Sequence, residues 1–202
     1  MKLIAHSYLN RKAAFLNGVK VAHADSEQPN DFLKTYYREL TIDYPKFHKM
    51  DALSKSAFLT DYLLEPFYAD LVDLENKLQL IFANSDSSKQ TDLKYIDSYE
   101  INNNPSPSLF VYTLPNILTG EISIKHKWYG ENCFFIQPAF DAQFFADQAM
   151  LSFLRGNDYC LCGWVEMNGS ENEECFLFLL EKSADTFEIE QLTTLLKSYR
   201  NE

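Results

Sequence analysis

Long apolar runs are missing from this sequence. No segment approaches the roughly 20 consecutive apolar residues that span a bilayer, and Met1 to Asn10 holds one lysine and one short apolar run, without a small-residue cleavage site. A soluble, cytoplasmic protein with no membrane partner is expected. Glycine is scarce, at 6 residues, and none of them forms a phosphate-cradling loop, so nucleotide binding has no motif behind it. Basic residues are in the minority, 18 against 29 acidic, and the resulting charge of −11 repels polyanions. Nucleic acid is therefore excluded as a natural partner. Cysteine is limited to Cys133, Cys160, Cys162 and Cys175. All four lie inside apolar strand-like runs, where buried free thiols are expected.

What the chain has instead is hydrophobic material. Hydrophobic residues make up 46% of 202 residues, and 16 Phe and 12 Tyr bring the aromatic share to 15%. That is enough for one aromatic-rich core and too much for a disordered chain. No repeat, low-complexity tract or linker divides the sequence, so residues 1–202 are read as one domain.

Hydrophobic periodicity and punctuation place the elements. Lys2 to Tyr8 reads as a first strand and Pro29 to Leu40 as a helix. Asp51 can cap a second helix that Pro66 interrupts. Lys77 to Ala83 is a buried strand, followed by the Ser85 to Ser88 loop. Ser108 to His126 reads as one long helix bent at Pro115. Asn132 to Gln137 is another apolar strand, and Asp141 to Arg155 a helix capped by Asp141 and stopped by Gly156. Two strands, Tyr159 to Met167 and Cys175 to Lys182, and a last helix from Glu188 to Tyr199 complete the chain. Crossovers followed by a terminal hairpin predict an α/β fold with a mixed sheet between helices.

Three stretches, in this order, resemble the amino-terminal half of the β-ketoacyl synthases of the thiolase-like superfamily. The first is Tyr44 to Asp51, with Lys49-Met50-Asp51 opening a helix. The second runs from Thr113-Leu114-Pro115-Asn116 through Gly120 to Gly130-Glu131-Asn132, and the third from Ala149 to Glu166 with the Arg155-Gly156-Asn157-Asp158 turn. The likeness is to stand-alone half-length proteins that accompany fatty-acid-like or aryl-polyene biosynthesis in bacteria. It implies a thiolase-like half-domain and no cofactor.

The resemblance also places the family's nucleophile position at Ala139, between Pro138 and Phe140. A ketosynthase needs a thiolate there, at the mouth of a buried helix, and alanine forms no thioester. Cys133 lies six residues upstream, roughly 20 Å along an extended strand. The second half of the family, with its two catalytic histidines, is absent, and His6, His23, His48 and His126 match none of its motifs. No catalytic residue is therefore expected. Gln137, Phe140 and Asp141 flank the vacated position and are the ligand-binding candidates, although a helix cap explains Asp141 equally simply. Asn132, Phe134, Phe135 and Ile136 correspond to the strand through which the resembled dimers join, and are the candidate interface.

Other features have plainer readings. The four histidines have no Cys or carboxylate neighbours at metal-ligand spacing, so no metal is expected. Cys160 and Cys162 share a strand face, as core residues do. Glu171, Glu173 and Glu174 read as a solvated loop tip. Lys34, Arg38, Lys46, Lys49 and Lys55 are either a docking patch for an acidic acyl carrier protein or a scattered solvated face. Three functions follow from the resemblance: a catalytically silent accessory subunit that forms a homodimer or heterodimer with a ketosynthase-like protein, an acyl-chain or carrier-protein binding module, and a divergent acyltransferase or hydrolase.

Overall fold

The computed structural model describes residues 1–23, 31–169, 172–185 and 187–201. Seven strands form one mixed sheet: β1 (Lys2–Asn10), β2 (Ala13–Leu16), β3 (Val19–His23), β4 (Leu78–Asn84), β5 (Asn132–Ile136), β6 (Tyr159–Glu166) and β7 (Glu174–Glu181). Their spatial order is β3-β2-β1-β7-β6-β4-β5. β4 runs parallel to both β5 and β6, and the remaining pairs are antiparallel. Among the described residues, eight α-helices flank the sheet: α1 (Phe32–Glu39), α2 (Ala52–Tyr62), α3 (Leu74–Lys77), α4 (Lys89–Glu100), α5 (Pro107–Val111), α6 (Ile117–His126), α7 (Ala142–Leu154) and α8 (Glu190–Arg200).

The central strands β4, β6 and β7 are buried along almost their whole length, which is why their sequences are continuous apolar runs rather than alternations. Each face of the sheet builds its own core. α1, α2 and α6 cover one, where Phe32, Tyr36, Phe58 and Ile122 meet Leu80, Phe82, Leu161 and Leu177. α7 and α8 cover the other, where Phe145, Phe153, Leu192 and Leu196 meet Ile81, Cys162, Phe176 and Phe178. At about 0.8 kcal/mol per buried methylene, these two layers supply the main driving force for folding.

The structure departs from the sequence reading in four places. The expected helix from Ser108 to His126 is two helices, α5 and α6, separated by Tyr112 to Asn116. Pro115 lacks an N–H and its ring would strike the carbonyl four residues back, so it breaks the segment rather than bending it. The β2–β3 hairpin and α4 went unread. Of the four cysteines, three are buried, but Cys133 is half-exposed because β5 is an edge strand. The start of the first expected helix, at Pro29, lies outside the described residues, and α1 begins at Phe32.

Candidate functional site

β5 delivers the chain to the expected site. Its parallel pairing with β4 continues one step past the strand, where the Gln137 amide donates to the Asn84 carbonyl at 2.9 Å. Pro138 and Ala139 then turn outward, exposed, and Phe140 turns in. The Phe140 ring packs 5.6 Å from Phe145, 5.8 Å from Phe176 and 6.3 Å from Trp164. Asp141 is extended and its carboxylate accepts from the amides of Gln143 at 2.9 Å and Phe144 at 3.3 Å. The α7 cap is thus formed as its sequence signals require. Gln137, Ala139, Phe140 and Asp141 lie on one short turn, and no thiol, hydroxyl or imidazole projects from it.

Pro138, Ala139 and Phe140 of that turn form one wall of a cleft of about 720 Å³, between the ends of β1, β6 and β7 and the flank of α8 that carries Thr193, Leu196 and Arg200, while Gln137 and Asp141 do not line it. The strand registers bring Asn10, Glu174 and Glu166 into one row across the sheet, above a row of Tyr8, Phe176 and Trp164. Two carboxylates in the cleft are held by their own chain. Glu174 accepts from the Tyr8 hydroxyl at 3.1 Å and from the Arg200 guanidinium at 3.0 Å. Glu173 accepts from the Gly169 amide at 2.8 Å and sits 3.9 Å from Arg11. Burial, and then the Glu174 carboxylate, push the Tyr8 phenol well above its ordinary value.

Glu166 forms no ion pair among the described residues, and like Glu173 it leaves one oxygen without a hydrogen-bond partner. One carboxylate oxygen accepts from the Ser85 amide at 3.0 Å, and Oε1 has no hydrogen-bond partner among the described residues. The neighbouring Trp164 Nε1 has none either. Burial raises the Glu166 carboxyl above the usual range, against the Ser85 amide, and the nearby Asp86 and Glu174 carboxylates add to the rise. Buried groups of this kind are normally satisfied.

The expectation of a solvated tip at Glu173 and Glu174 is therefore corrected. Both are buried: Glu174 opens β7, and Glu173 directly precedes it with its carboxylate turned onto the Gly169 amide; Glu171 lies outside the described residues. Tyr8, Arg11, Trp164, Glu166 and Arg200 were missed altogether. One signal was present in the sequence: Trp164 and Glu166 sit two apart at the end of an apolar strand, hence on one face.

A second correction concerns the histidines. His126 does meet carboxylates in space: its Nε2 lies 2.7 Å from Asp61, and ligand atoms of Asp61, Glu65 and His126 fall within 4.8 Å of one another. Lys125 places its ammonium 2.9 Å from Asp61 and 2.7 Å from Glu65. The cluster carries its own cation. Burial alone would raise the Asp61 carboxyl, but Lys125 and His126 outweigh it and hold that carboxyl well below the usual range.

The remaining candidates fall into place individually. Cys160 and Cys162 both face the α7 and α8 core, and burial pushes the Cys160 thiol up to about 12. Gln79 donates weakly to the Cys133 sulfur at 3.7 Å. Of the basic residues, Lys34 pairs with Asp31 and Lys46 with Glu121, Lys55 lies over the Phe47 ring, and Arg38 and Lys49 are exposed. Among the described residues no helix is long and apolar enough to cross a membrane.

No family model and no curated protein matches the sequence. Solved structures do. A chain from the ketosynthase ApeO in complex with its chain length factor ApeC from Xenorhabdus doucetiae superposes with a TM-score of 0.66 at 12% identity, over 100% of this chain and 93% of that one. The ishigamide ketosynthase/chain length factor gives 0.63 at 13% identity, covering 91% of this chain. A type II polyketide acyl-carrier protein in complex with its ketosynthase bound to the hexaketide gives 0.57 at 14%, covering 89%. The chain spans 62% of the length of each of the last two. The resemblance read from the sequence therefore holds at the level of fold: a thiolase-like, ketosynthase-type mixed sheet flanked by helices.

Proposed function

We propose that this chain is an accessory, ketosynthase-like subunit of a fatty-acid-like, polyketide-like or aryl-polyene assembly, which pairs with a ketosynthase-like partner and performs no acyl transfer itself. The observation that carries the reading is the outer edge of β5. This strand ends the sheet, no charged residue interrupts Asn132–Ile136, and Ile136 is 53% exposed. Such an edge is a template for pairing unless something covers it. The opposite edge, β3, carries Lys20 and flanks α1 instead.

Apolar surface elsewhere supports the same reading. Met150, Leu151 and Leu154 are exposed on α7, Phe110 and Val111 on α5 and Ile124 on α6. Residues 101–120 contain no charged side chain at all. A stretch of that kind on a chain of net charge −11 suits a desolvated interface. Silence follows from Ala139, whose methyl group offers no nucleophile at the helix mouth. The solved chains with this fold come from complexes of ketosynthases with chain length factors or a carrier protein, which names the partner class.

Coexpression with the ketosynthases of its host, followed by light scattering of the purified species, tests the proposal. A one-to-one complex is expected, with Ile136→Lys and Leu154→Glu each weakening it at least tenfold. A chain that remains monomeric at micromolar concentration beside every such ketosynthase would falsify the reading.

A further inference from the structure

Tyr199, in the last turn of α8, is 3% exposed and anchors that helix to the sheet. Its ring stacks on Tyr8 at 4.7 Å and lies 5.3 Å from Phe15. Its hydroxyl joins three elements, accepting from the Gly18 amide in the β2–β3 turn at 2.9 Å and lying 2.8 Å from Nδ1 of His6 on β1. His6 also holds the turn through its backbone. Its amide donates to Asn17 Oδ1 and its carbonyl accepts from the Asn17 amide, both at 2.8 Å.

A phenol has one hydrogen to donate. With the Gly18 amide already aimed at the oxygen, the acceptor at hand for that hydrogen among the described residues is the Nδ1 lone pair. This arrangement requires a neutral imidazole with its own hydrogen on Nε2. A proton added at Nδ1 turns the acceptor into a second donor aimed at the Tyr199 oxygen and leaves the phenol hydrogen without a partner, which is costly in a part-buried site.

We propose that this relay is a pH-sensitive latch: neutral His6 holds the last turn of α8 against β1 and the β2–β3 turn, and protonated His6 releases it. Leu196, Lys197 and Arg200 of α8 line the cleft, so release alters the cleft wall. Arg200 keeps its pair with Glu174, and the helix end loosens while it stays tethered.

Burial pushes the His6 imidazole below its ordinary value, with Phe176 packed 6.3 Å from the ring. The ionisable groups on the elements around it have partners of their own: Lys2 pairs with Glu181, Tyr8 and Arg200 with Glu174, and Lys20 lies over the Phe15 ring. On the opposite face of β1, α2 is met by Ser7 rather than His6. Because the folded chain favours the neutral ring, the stabilisation from the latch is complete above the unfolded value of about 6.5. It is lost as the pH falls through the lower folded value. The latch needs no partner, so it stands or falls apart from the pairing proposed above.

The chain has 4 histidines, and ¹⁵N–¹H NMR of their rings between about pH 7.5 and about pH 5 provides the test. At the upper end His6 should show a bare Nδ1 and a protonated Nε2. Tyr199→Phe removes the donor that favours the neutral ring and should raise the His6 midpoint by about half a pH unit or more. Amide exchange at Gly18 and Tyr199, corrected for the intrinsic rate, should quicken at least about fivefold between about pH 7 and about pH 5.5, with Phe145 in α7 unchanged. His6→Gln keeps an acceptor for the phenol and cannot titrate, so the acid quickening should vanish there although Glu166 and Glu173 still titrate. Should either variant fail to fold, the ring state and the exchange of the unaltered protein decide. A protonated Nδ1 at the upper end, exchange that acid leaves unchanged, quickening that persists in His6→Gln, or quickening shared equally by α7 overturns the proposal.

Discussion

The two faces of the sheet satisfy their buried charges to different degrees. On the face covered by α1, α2 and α6, Asp61 is fully buried and both of its carboxylate oxygens are used: Tyr68 donates at 2.8 Å, Lys125 lies at 2.9 Å and His126 at 2.7 Å. Lys125 also reaches Glu65 and lies 4.3 Å over the Phe58 ring. On the face covered by α7 and α8, Glu166 Oε1 and the Trp164 indole nitrogen are buried without a hydrogen-bond partner among the described residues. A buried charge answered by its own chain is architecture. One left without a partner is a cost that the fold carries.

The closed network should break hardest. Asp61→Ala leaves the Lys125 ammonium and the Tyr68 hydroxyl without their buried acceptor, and removing one partner of a buried ion pair costs about 3–5 kcal/mol. Urea unfolding should show that loss. A change below about 1 kcal/mol would mean that the network is no keystone of this face. The acid limb of stability points the same way. The Asp61 carboxyl is held below its unfolded value of about 3.9, so its stabilisation is present above about pH 4 and is lost as the pH falls further and the folded protein takes up the proton. Asp61→Asn should flatten that limb.

The contrast between the faces also explains what the sequence disclosed. β4, β6 and β7 were legible because strands buried on both faces must be apolar throughout, and α7 because Asp141 and Gly156 mark its ends. The β2–β3 hairpin had its signal too. Asn17 and Gly18 both have positive φ, at 48° and 82°, the backbone that an Asn-Gly hairpin turn demands, but strands of four and five residues carry too little periodicity to announce themselves. The cleft was illegible for another reason. Glu173 and Glu174 resemble any polar loop until the register with β1 and β6 sets Glu174 beside Asn10 and Glu166. The Asp61 network joins residues 65 apart. Spacing along the chain carries no trace of either.

A smaller effect is expected where β5 meets α7. Asp141→Ala removes the acceptor of two first-turn amides and should cost about 1 kcal/mol, read as a lower midpoint in urea with an unchanged slope. Because the cap directly follows the Pro138 to Phe140 turn on the cleft wall and lies outside both cores, its loss should unsettle that turn well before the sheet. Amide hydrogen exchange at Gln143 and Phe144 should quicken while β4 and β6 stay protected. Equal quickening in all of these segments would show the cleft wall to be as integral to the fold as the Asp61 network.

The smallest change belongs to Glu166→Gln, and it divides the two faces most sharply. The amide oxygen can still accept from Ser85, no other described residue hydrogen-bonds Oε1, and a buried, poorly compensated charge disappears. Stability at pH 7 should therefore stay within about 0.5 kcal/mol of the parent or rise. The sign of the pH effect follows from the raised carboxyl. Between the unfolded value of about 4.3 and the higher folded one, the folded chain keeps a proton that the unfolded chain has lost, so stability declines as the pH rises through that window. Glu173 is raised by burial as well and contributes in the same direction. Removing the Glu166 carboxyl should flatten only part of the decline, whereas Asp61→Asn acts on the opposite limb, below about pH 4. If Glu166→Gln instead cost as much as Asp61→Ala, Oε1 would have a structural partner, and the difference between a closed face and an open one would vanish.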